Sequence, residues 1–235
     1  MTASDEDGSL DVLKDTFVRG LAHEMSSPLH AIQGLLELVD ERTSDPEIRS
    51  SARAAARAAT RLNHSLRALL DYAALRAGDH QVTRSRVVLG GYVDRAVDRW
   101  RVPAARAGLL LVGDLSTDSS TCVDLDEVRT DQIVDALLDN AIRFGGTPIN
   151  LLVDLDEVDH VLRIEVRDRG AGVAEPQRAR LFEPFERGPD DTDGFGVGLA
   201  LAREVATLLG GSLELAPTDI GAAFVARIPI DGPAS

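Results

Sequence analysis

Three groups of residues in this chain have the types and spacing to do chemistry together. The first is His23 with Glu24 beside it, inside the stretch Phe17 to Ile32. An imidazole held on the outer face of a rigid helix can titrate, accept a group and hand it on. The second is Asn140 and Arg143, three residues apart and therefore on one helix face, followed by Phe144. An amide oxygen is a hard ligand suited to Mg²⁺, which keeps several waters and bridges phosphates. A guanidinium beside it complements phosphate charge, and Phe144 adds a flat ring. The third group is two glycine clusters, Asp168-Arg-Gly170-Ala-Gly172 and Gly194-Phe-Gly196-Val-Gly198. A carboxylate at Asp168, closing an apolar strand, can accept a hydrogen bond from an exocyclic amine such as that of adenine. The second cluster leads into a helix at Leu199, so backbone N–H groups and the helix N-terminus can cradle phosphate.

Each pattern alone also has an ordinary reading. A helix histidine can be merely solvated, an amphipathic helix has polar outer residues, and turns use glycine for backbone reasons. Gly194 to Gly198 does not follow a strand, unlike a dinucleotide fingerprint, and no Gly-Lys-Ser/Thr is present to make a Walker loop. Between the clusters, Leu181 to Gly188, with Phe185 and Arg187, and then Pro189 to Asp193 read as a mobile lid.

These residues need elements to position them, and the apolar periodicity supplies two kinds. Val18, Leu21, Met25, Pro28, Ile32, Leu35 and Val39 recur in steps of three and four, a heptad seam that packs helices side by side. His23 falls on the side away from that seam. The first helix is expected from about Ser9 to Glu41, with a kink after His23 because Pro28 removes a backbone hydrogen bond. Thr43 to Pro46 reads as a turn with Asp45 as cap and Pro46 in the first helical position. A second helix then runs to about Ala77 and ends at Gly78, with a seam of Ile48, Ala52, Ala55, Ala59, Leu62, Leu66, Leu69 and Ala73. Two such helices form an antiparallel hairpin whose stripes one hairpin cannot cover. A homodimeric four-helix bundle covers them; packing on the C-terminal half is the competing solution.

Asp79 to Arg86 reads as a linker, so the expected division is residues 1–79 and residues 80–235. The second part mixes periods. Strands are expected at Val87 to Leu89, Leu109 to Val112, Thr121 to Val123, Ile149 to Leu155, Val161 to Val166, Ser212 to Leu215 and Phe224 to Ile228. Helices are expected at Tyr92 to Ala107, from an Asp126 cap through Phe144, and at Leu199 to Leu209 before Gly210-Gly211. That mixture predicts an α+β sandwich, one sheet covered by helices.

Composition narrows the setting. The 235 residues, 44% hydrophobic and 27% charged, suit one large or two modest folded domains. A net charge of −14 argues against general nucleic-acid affinity. The one cysteine, Cys122, allows no internal disulfide and suits a reducing compartment. No apolar run approaches a membrane span, and the first ten residues are not a signal peptide. The sequence reads as soluble and cytoplasmic.

Taken in order, these segments resemble the catalytic core of two-component sensor histidine kinases. Phe17 to Ile32 matches the H-box, Asp135 to Phe144 the N-box, Asp168 to Gly172 the first G-box, Leu181 to Arg187 the F-box and Gly194 to Gly198 the second G-box. The tail Gly210 to Leu215 and Gly221 to Pro229 also matches, so the resemblance spans about residues 10–230. It implies a dimeric helical phosphoacceptor domain joined to an α+β sandwich of the Bergerat ATP-binding type. His23 would accept the γ-phosphoryl of ATP and Glu24 would orient or deprotonate its ring. Asn140 would bind Mg²⁺, Arg143 the phosphates, and Asp168 the adenine amine, with Gly170 and Gly172 admitting the backbone. Gly194, Gly196, Gly198 and Leu199 would line the triphosphate under the lid carrying Phe185 and Arg187. The phosphoryl group would pass to an aspartate of a response-regulator receiver domain. Three positions depart from the family pattern: Ser27 replaces the usual Asn or Thr that positions water for dephosphorylation, Ala136 replaces a second Asn, and Asp219 to Ala223 holds a single glycine. No sensor precedes the first helix, so a separate sensor protein is one expected source of the signal. The alternatives to an autokinase are a histidine phosphotransfer relay that does not use ATP and a regulatory ATPase without a phosphoacceptor.

Overall fold

The computed structural model describes residues 28–76, 81–186 and 195–230. The chain divides into two compact units, residues 1–79 with 185–197, and residues 80–184 with 198–235. The first unit therefore takes in a segment that a single boundary at residue 79 assigns to the second.

In the first unit, α1 (28–42) and α2 (Pro46–Arg76) are joined by three residues. Asp45 ends the turn as anticipated: its Oδ1 accepts the N–H of Glu47 at 2.8 Å and that of Ile48 at 3.4 Å. Pro46 follows at the first helical position, where its missing N–H costs nothing. Leu29, Ala59 and Leu66 form the buried strip of the hairpin, with Leu70 packed against them. Polar ties flank it: Gln33 donates to the Thr60 hydroxyl at 2.8 Å, and Arg53 reaches Asp40 at 2.8 Å.

A single hairpin covers only part of the anticipated seams. On α2, Ala52, Ala59 and Leu66 are buried, but Ile48 and Leu62 are exposed. On α1 the inward residue is Leu29, while Ile32, Leu35 and Val39 point outward, Leu35 with 63% of its surface open. The reason lies in the width of the apolar face. Each helix carries two adjacent stripes rather than one, and a single hairpin uses only the inner pair. Ser9 to Ser27, including the approach to Pro28 where a kink was expected, lies outside the described residues.

The second unit contains α3 (Leu89–Arg106), α4 (Glu127–Phe144), the short α5 (Glu175–Arg178) and α6 (Gly198–Leu208). Its five-stranded sheet has the order β2 (Leu111–Leu115), β4 (Ile149–Asp156), β5 (Val161–Arg167), β7 (Ala223–Pro229), β6 (Ser212–Ala216). β2 runs parallel to β4 and every other pair is antiparallel. A separate two-stranded ribbon pairs β1 (Ser85–Val88) with β3 (Cys122–Leu125). One sheet was expected; the first and third strands instead pair with each other.

Alternation explains the layers. Ile149, Leu151 and Val153 of β4 and Leu162, Ile164 and Val166 of β5 are buried under the helices. The intervening positions of β5 carry Arg163, Glu165 and Arg167, and Glu165 is buried between its two arginines. Helix α4 seals the centre with Ile133, Val134, Leu137 and Leu138, each fully buried and each contributing roughly 1.5–3 kcal/mol. Its start is set by Asp126, whose Oδ1 accepts the Arg129 N–H at 2.9 Å while Oδ2 accepts that of Thr83 at 2.7 Å.

Candidate functional site

The site in the second unit grows from the C-terminal end of α4 and the turn that follows β5. Asn140 and Arg143 lie in the last turns of α4 and are half-buried. Arg143 does not project freely: its guanidinium lies 4.0 Å from the Asp139 carboxylate and 4.8 Å above the Phe144 ring. The flat face expected of Phe144 is thus partly occupied by its own neighbour, a cation–π contact of about 0.5–1 kcal/mol at an exposed position.

Asp168 follows the last residue of β5 and is only 4% exposed. Its N–H donates to the Ala222 carbonyl at 3.0 Å, which continues the pairing of β5 with β7 by one residue. Its Oδ1 accepts the Gly170 N–H at 2.7 Å. Among the described residues no hydrogen bond engages Oδ2, which leaves one carboxylate oxygen to accept from a ligand amine.

Backbone of two other segments presses on this turn. Gly145 closes α4, donating its N–H to the Ala141 carbonyl at 2.9 Å. The Gly146 carbonyl accepts the Arg169 N–H at 3.2 Å. Gly221 has φ +75°, a conformation side chains rarely adopt, and a Cβ there would sit 2.1 Å from the Asp168 carbonyl oxygen. Gly172, at φ +74°, faces the Gly221 carbonyl in the same way at 2.6 Å. Sequence reasoning missed Gly145, Gly146 and Gly221. The signal available was the Gly-Gly pair directly after Phe144, and Gly221 stood inside the segment read as a degenerate motif.

The remaining site residues are distributed as follows. Gly198 and Leu199 open α6, which packs along α4 in the same unit. Phe182 is anchored in that unit by an edge-to-face contact with Phe224 at 6.3 Å and by Arg203 over its ring at 5.6 Å. Phe185 and Gly196 belong to the other unit, where the Phe185 N–H donates to the Gly196 carbonyl at 2.9 Å. Both take positive φ, +67° and +66°, and Phe185 is 62% exposed. His23, Glu24, Ser27, Arg187 and Gly194 lie outside the described residues, as does most of the expected lid.

A mixed sheet beneath helices, with an aspartate–glycine turn set against the end of an amide-bearing helix, defines a nucleotide-binding domain of a known ATPase class. Residues 125–232 match the family described as histidine kinase-, DNA gyrase B- and HSP90-like ATPase, and residues 13–78 match the His Kinase A phospho-acceptor domain. Among named relatives, the signal transduction histidine-protein kinase AfsQ2 of Streptomyces coelicolor is 29% identical over 92% of this chain and 42% of its own length. The virulence sensor protein BvgS of Bordetella parapertussis is 33% identical over 86% of this chain and 17% of its own. In three dimensions the chain is similar to full-length ShkA, solved in complex with AMPPNP, with TM-score 0.71 and 25% identity over 94% of this chain and 47% of that one. The chain belongs to the two-component sensor histidine kinases and comprises the two domains of their catalytic core. It spans less than half the length of these relatives.

Proposed function

We propose that the chain is an ATP-dependent histidine autokinase that phosphorylates His23 and passes the phosphoryl group to an aspartate of a response-regulator receiver domain. The observation carrying this reading is the pairing, on one chain, of a phosphoacceptor-domain match that contains His23 with an ATPase-domain match that contains the buried Asp168. An imidazole nitrogen of His23 forms a bond to the γ-phosphorus as the bond to the β,γ-bridging oxygen breaks, releasing ADP. Glu24 orients the ring and takes its proton. Asp168 selects adenine through its amine, and Arg143, held by Asp139, offers positive charge toward the phosphates. Gly196, Gly198 and Leu199 supply backbone to the triphosphate, with Phe185 and Arg187 in the covering segment. Residues 1–79 serve as the dimerisation and phosphoacceptor part, and residues 80–235 as the ATP-binding part.

Mg²⁺ suits this site in a particular way. Among the described residues no cluster of three or more His, Cys, Asp or Glu could cage a metal, and Ala136 removes a second amide. A lone Asn140 oxygen fits an ion held chiefly by nucleotide phosphates and water, and the bound ion would neutralise phosphate charge. The outward stripe of Ile32, Leu35, Leu38, Val39, Ile48 and Leu62 supports a homodimer in which two hairpins form a four-helix bundle. Among the described residues no helix is long and apolar enough to cross a membrane. A cytoplasmic setting and a separate sensor protein belong to the proposal.

Incubation with γ-labelled ATP and Mg²⁺ tests the proposal. Wild type acquires acid-labile label, whereas His23→Gln and Asn140→Ala do not. Label that never comes from ATP would instead identify a relay protein, and ATP hydrolysis that persists in His23→Gln without labelling of wild type would identify a plain ATPase.

A further inference from the structure

Asp168 reads a base only if its carboxylate is held at one place and angle, and the structure shows what holds it. The turn from Asp168 to Gly170 lies between two walls of bare backbone. On one side a Cβ at Gly145 would stand 2.7 Å from the Asp168 Cβ and 2.8 Å from its carboxyl carbon, and 2.4 Å from the Ala141 carbonyl oxygen. A Cβ at Gly146 would stand 2.6 Å from the Arg169 carbonyl oxygen and 2.8 Å from the Gly170 nitrogen, the nitrogen whose N–H clamps Asp168 Oδ1. The approach is reciprocal, since a Cβ on Gly170 would meet the Gly145 backbone at 2.9 Å. On the other side stands Gly221.

The demand for glycine at position 145 is one of space. Gly145 has φ −83°, which any residue adopts, so a methyl group there creates no backbone strain of its own. It must displace either the α4 terminus or the Asp168 side chain. Gly145 is also the C-cap of the helix that carries Asn140 and Arg143. The same contact therefore sets the spacing between the helix end and the base-reading carboxylate.

We propose that Gly145 and Gly146 are positioning residues for nucleotide recognition: their bare backbone fixes the Asp168 carboxylate in the pose that accepts the 6-amino group of adenine. This rests on the reading of Asp168 given above and adds to it the residues that hold its aim. The consequence is specific. A methyl group at position 145 or 146 moves the carboxylate and so weakens recognition of the amine more than grip on sugar or phosphates.

The test compares equilibrium binding of ATP with that of purine ribonucleoside triphosphate, which lacks the 6-amino group, to the full chain with Mg²⁺. Wild type is expected to prefer ATP by about 10-fold or more, in line with loss of a hydrogen bond to a charged group. Gly145→Ala is expected to weaken ATP about 10-fold while changing the analogue less than about 3-fold, so that selectivity collapses. Gly146→Ala, which acts on the Gly170 clamp, is expected to do the same and serves if Gly145→Ala does not fold. Gly34→Ala, in α1 with nothing within 4 Å, should change neither ligand. A folded variant at position 145 or 146 that keeps full preference for ATP overturns the inference, and so does one that loses both ligands equally. Wild type that binds both nucleotides equally removes the role of Asp168 as well; wild type that discriminates while the variants do too removes only the role of the glycines.

Discussion

The two units bury their apolar residues to different degrees. In the sheet unit, Ile133, Val134, Leu137, Leu138, Ile149, Leu151, Leu162 and Ile164 are all completely buried. In the helical hairpin, Leu29 and Leu66 are buried, but Ile32, Leu35, Leu38, Val39, Ile48 and Leu62 are all open by more than a third. Large exposed apolar stripes mark association surfaces, whereas a filled core marks a unit that folds on its own contacts. The difference fits the proposed division of labour between a nucleotide-holding unit and a helix pair that pairs with another copy.

The strongest way to break that contrast is a cavity. Leu137→Ala should destabilise the sheet unit by about 3–5 kcal/mol, because its neighbours cannot close the void. The only tryptophan, Trp100, belongs to this unit, so its fluorescence in a urea titration reports the loss directly. A loss below about 1 kcal/mol would mean that the core is looser than its burial implies. The matching change in the hairpin is Leu35→Ala. It should leave the Trp100 transition where it is and weaken self-association by about 2 kcal/mol, roughly 30-fold, through two copies of the lost side chain. Sedimentation across a dilution series checks this, and an unchanged association constant would remove Leu35 from the interface.

Helix caps sharpen the comparison further. Asp126→Ala loses two backbone hydrogen bonds from a buried carboxylate and should cost close to 2 kcal/mol, the upper end for caps. Asp45→Ala, exposed at the start of α2, should cost only about 0.5–1 kcal/mol, read as faster amide exchange at Glu47 and Ile48. Equal costs at the two positions would contradict the distinction.

These two caps also show what was legible beforehand. Asp126 before an amphipathic run and Asp45-Pro46 after a polar turn are local signals, and both helices begin where those signals stand. β2 was misplaced for a tertiary reason. Expected at Leu109 to Val112, it runs from Leu111 to Leu115 because it pairs along β4 through Val153, and Gly113 lets Val93 and Val97 of α3 press close against it. That one hairpin leaves apolar surface open was legible; which of the heptad residues turn outward was not, since periodicity marks apolar stripes without saying which neighbour covers each. At the site, Asn140 and Asp168 were visible by type and spacing. The supporting Gly145, Gly146 and Gly221 were not, because their role appears only when three distant segments of backbone meet.

The smallest expected effect is electrostatic. Asp135 sits under α3, where Trp100 donates to its Oδ1 at 2.6 Å and Arg99 lies at 3.1 Å. Burial, with the charge of Asp131 adding to it, raises its pKa above the ordinary 3.8, and the Trp100 hydrogen bond and Arg99 offset the rise only in part. Its stabilising contribution is therefore full below the ordinary value and is lost as pH rises through the raised one. Asp135→Asn does not titrate, so its urea midpoint should gain on that of wild type as pH climbs from about 4 toward 8. A gap that shrinks over that range would reverse the assignment.

The account depends most on where the phosphoryl group goes. Mass-spectrometric mapping under conditions that preserve phosphohistidine, after incubation with ATP and Mg²⁺, tests this directly. The account predicts one modified residue, His23, in wild type and none in Asp168→Asn or Asn140→Ala. A phosphoryl group on any other residue, or on His23 at an undiminished level in the two nucleotide-site variants, would contradict it.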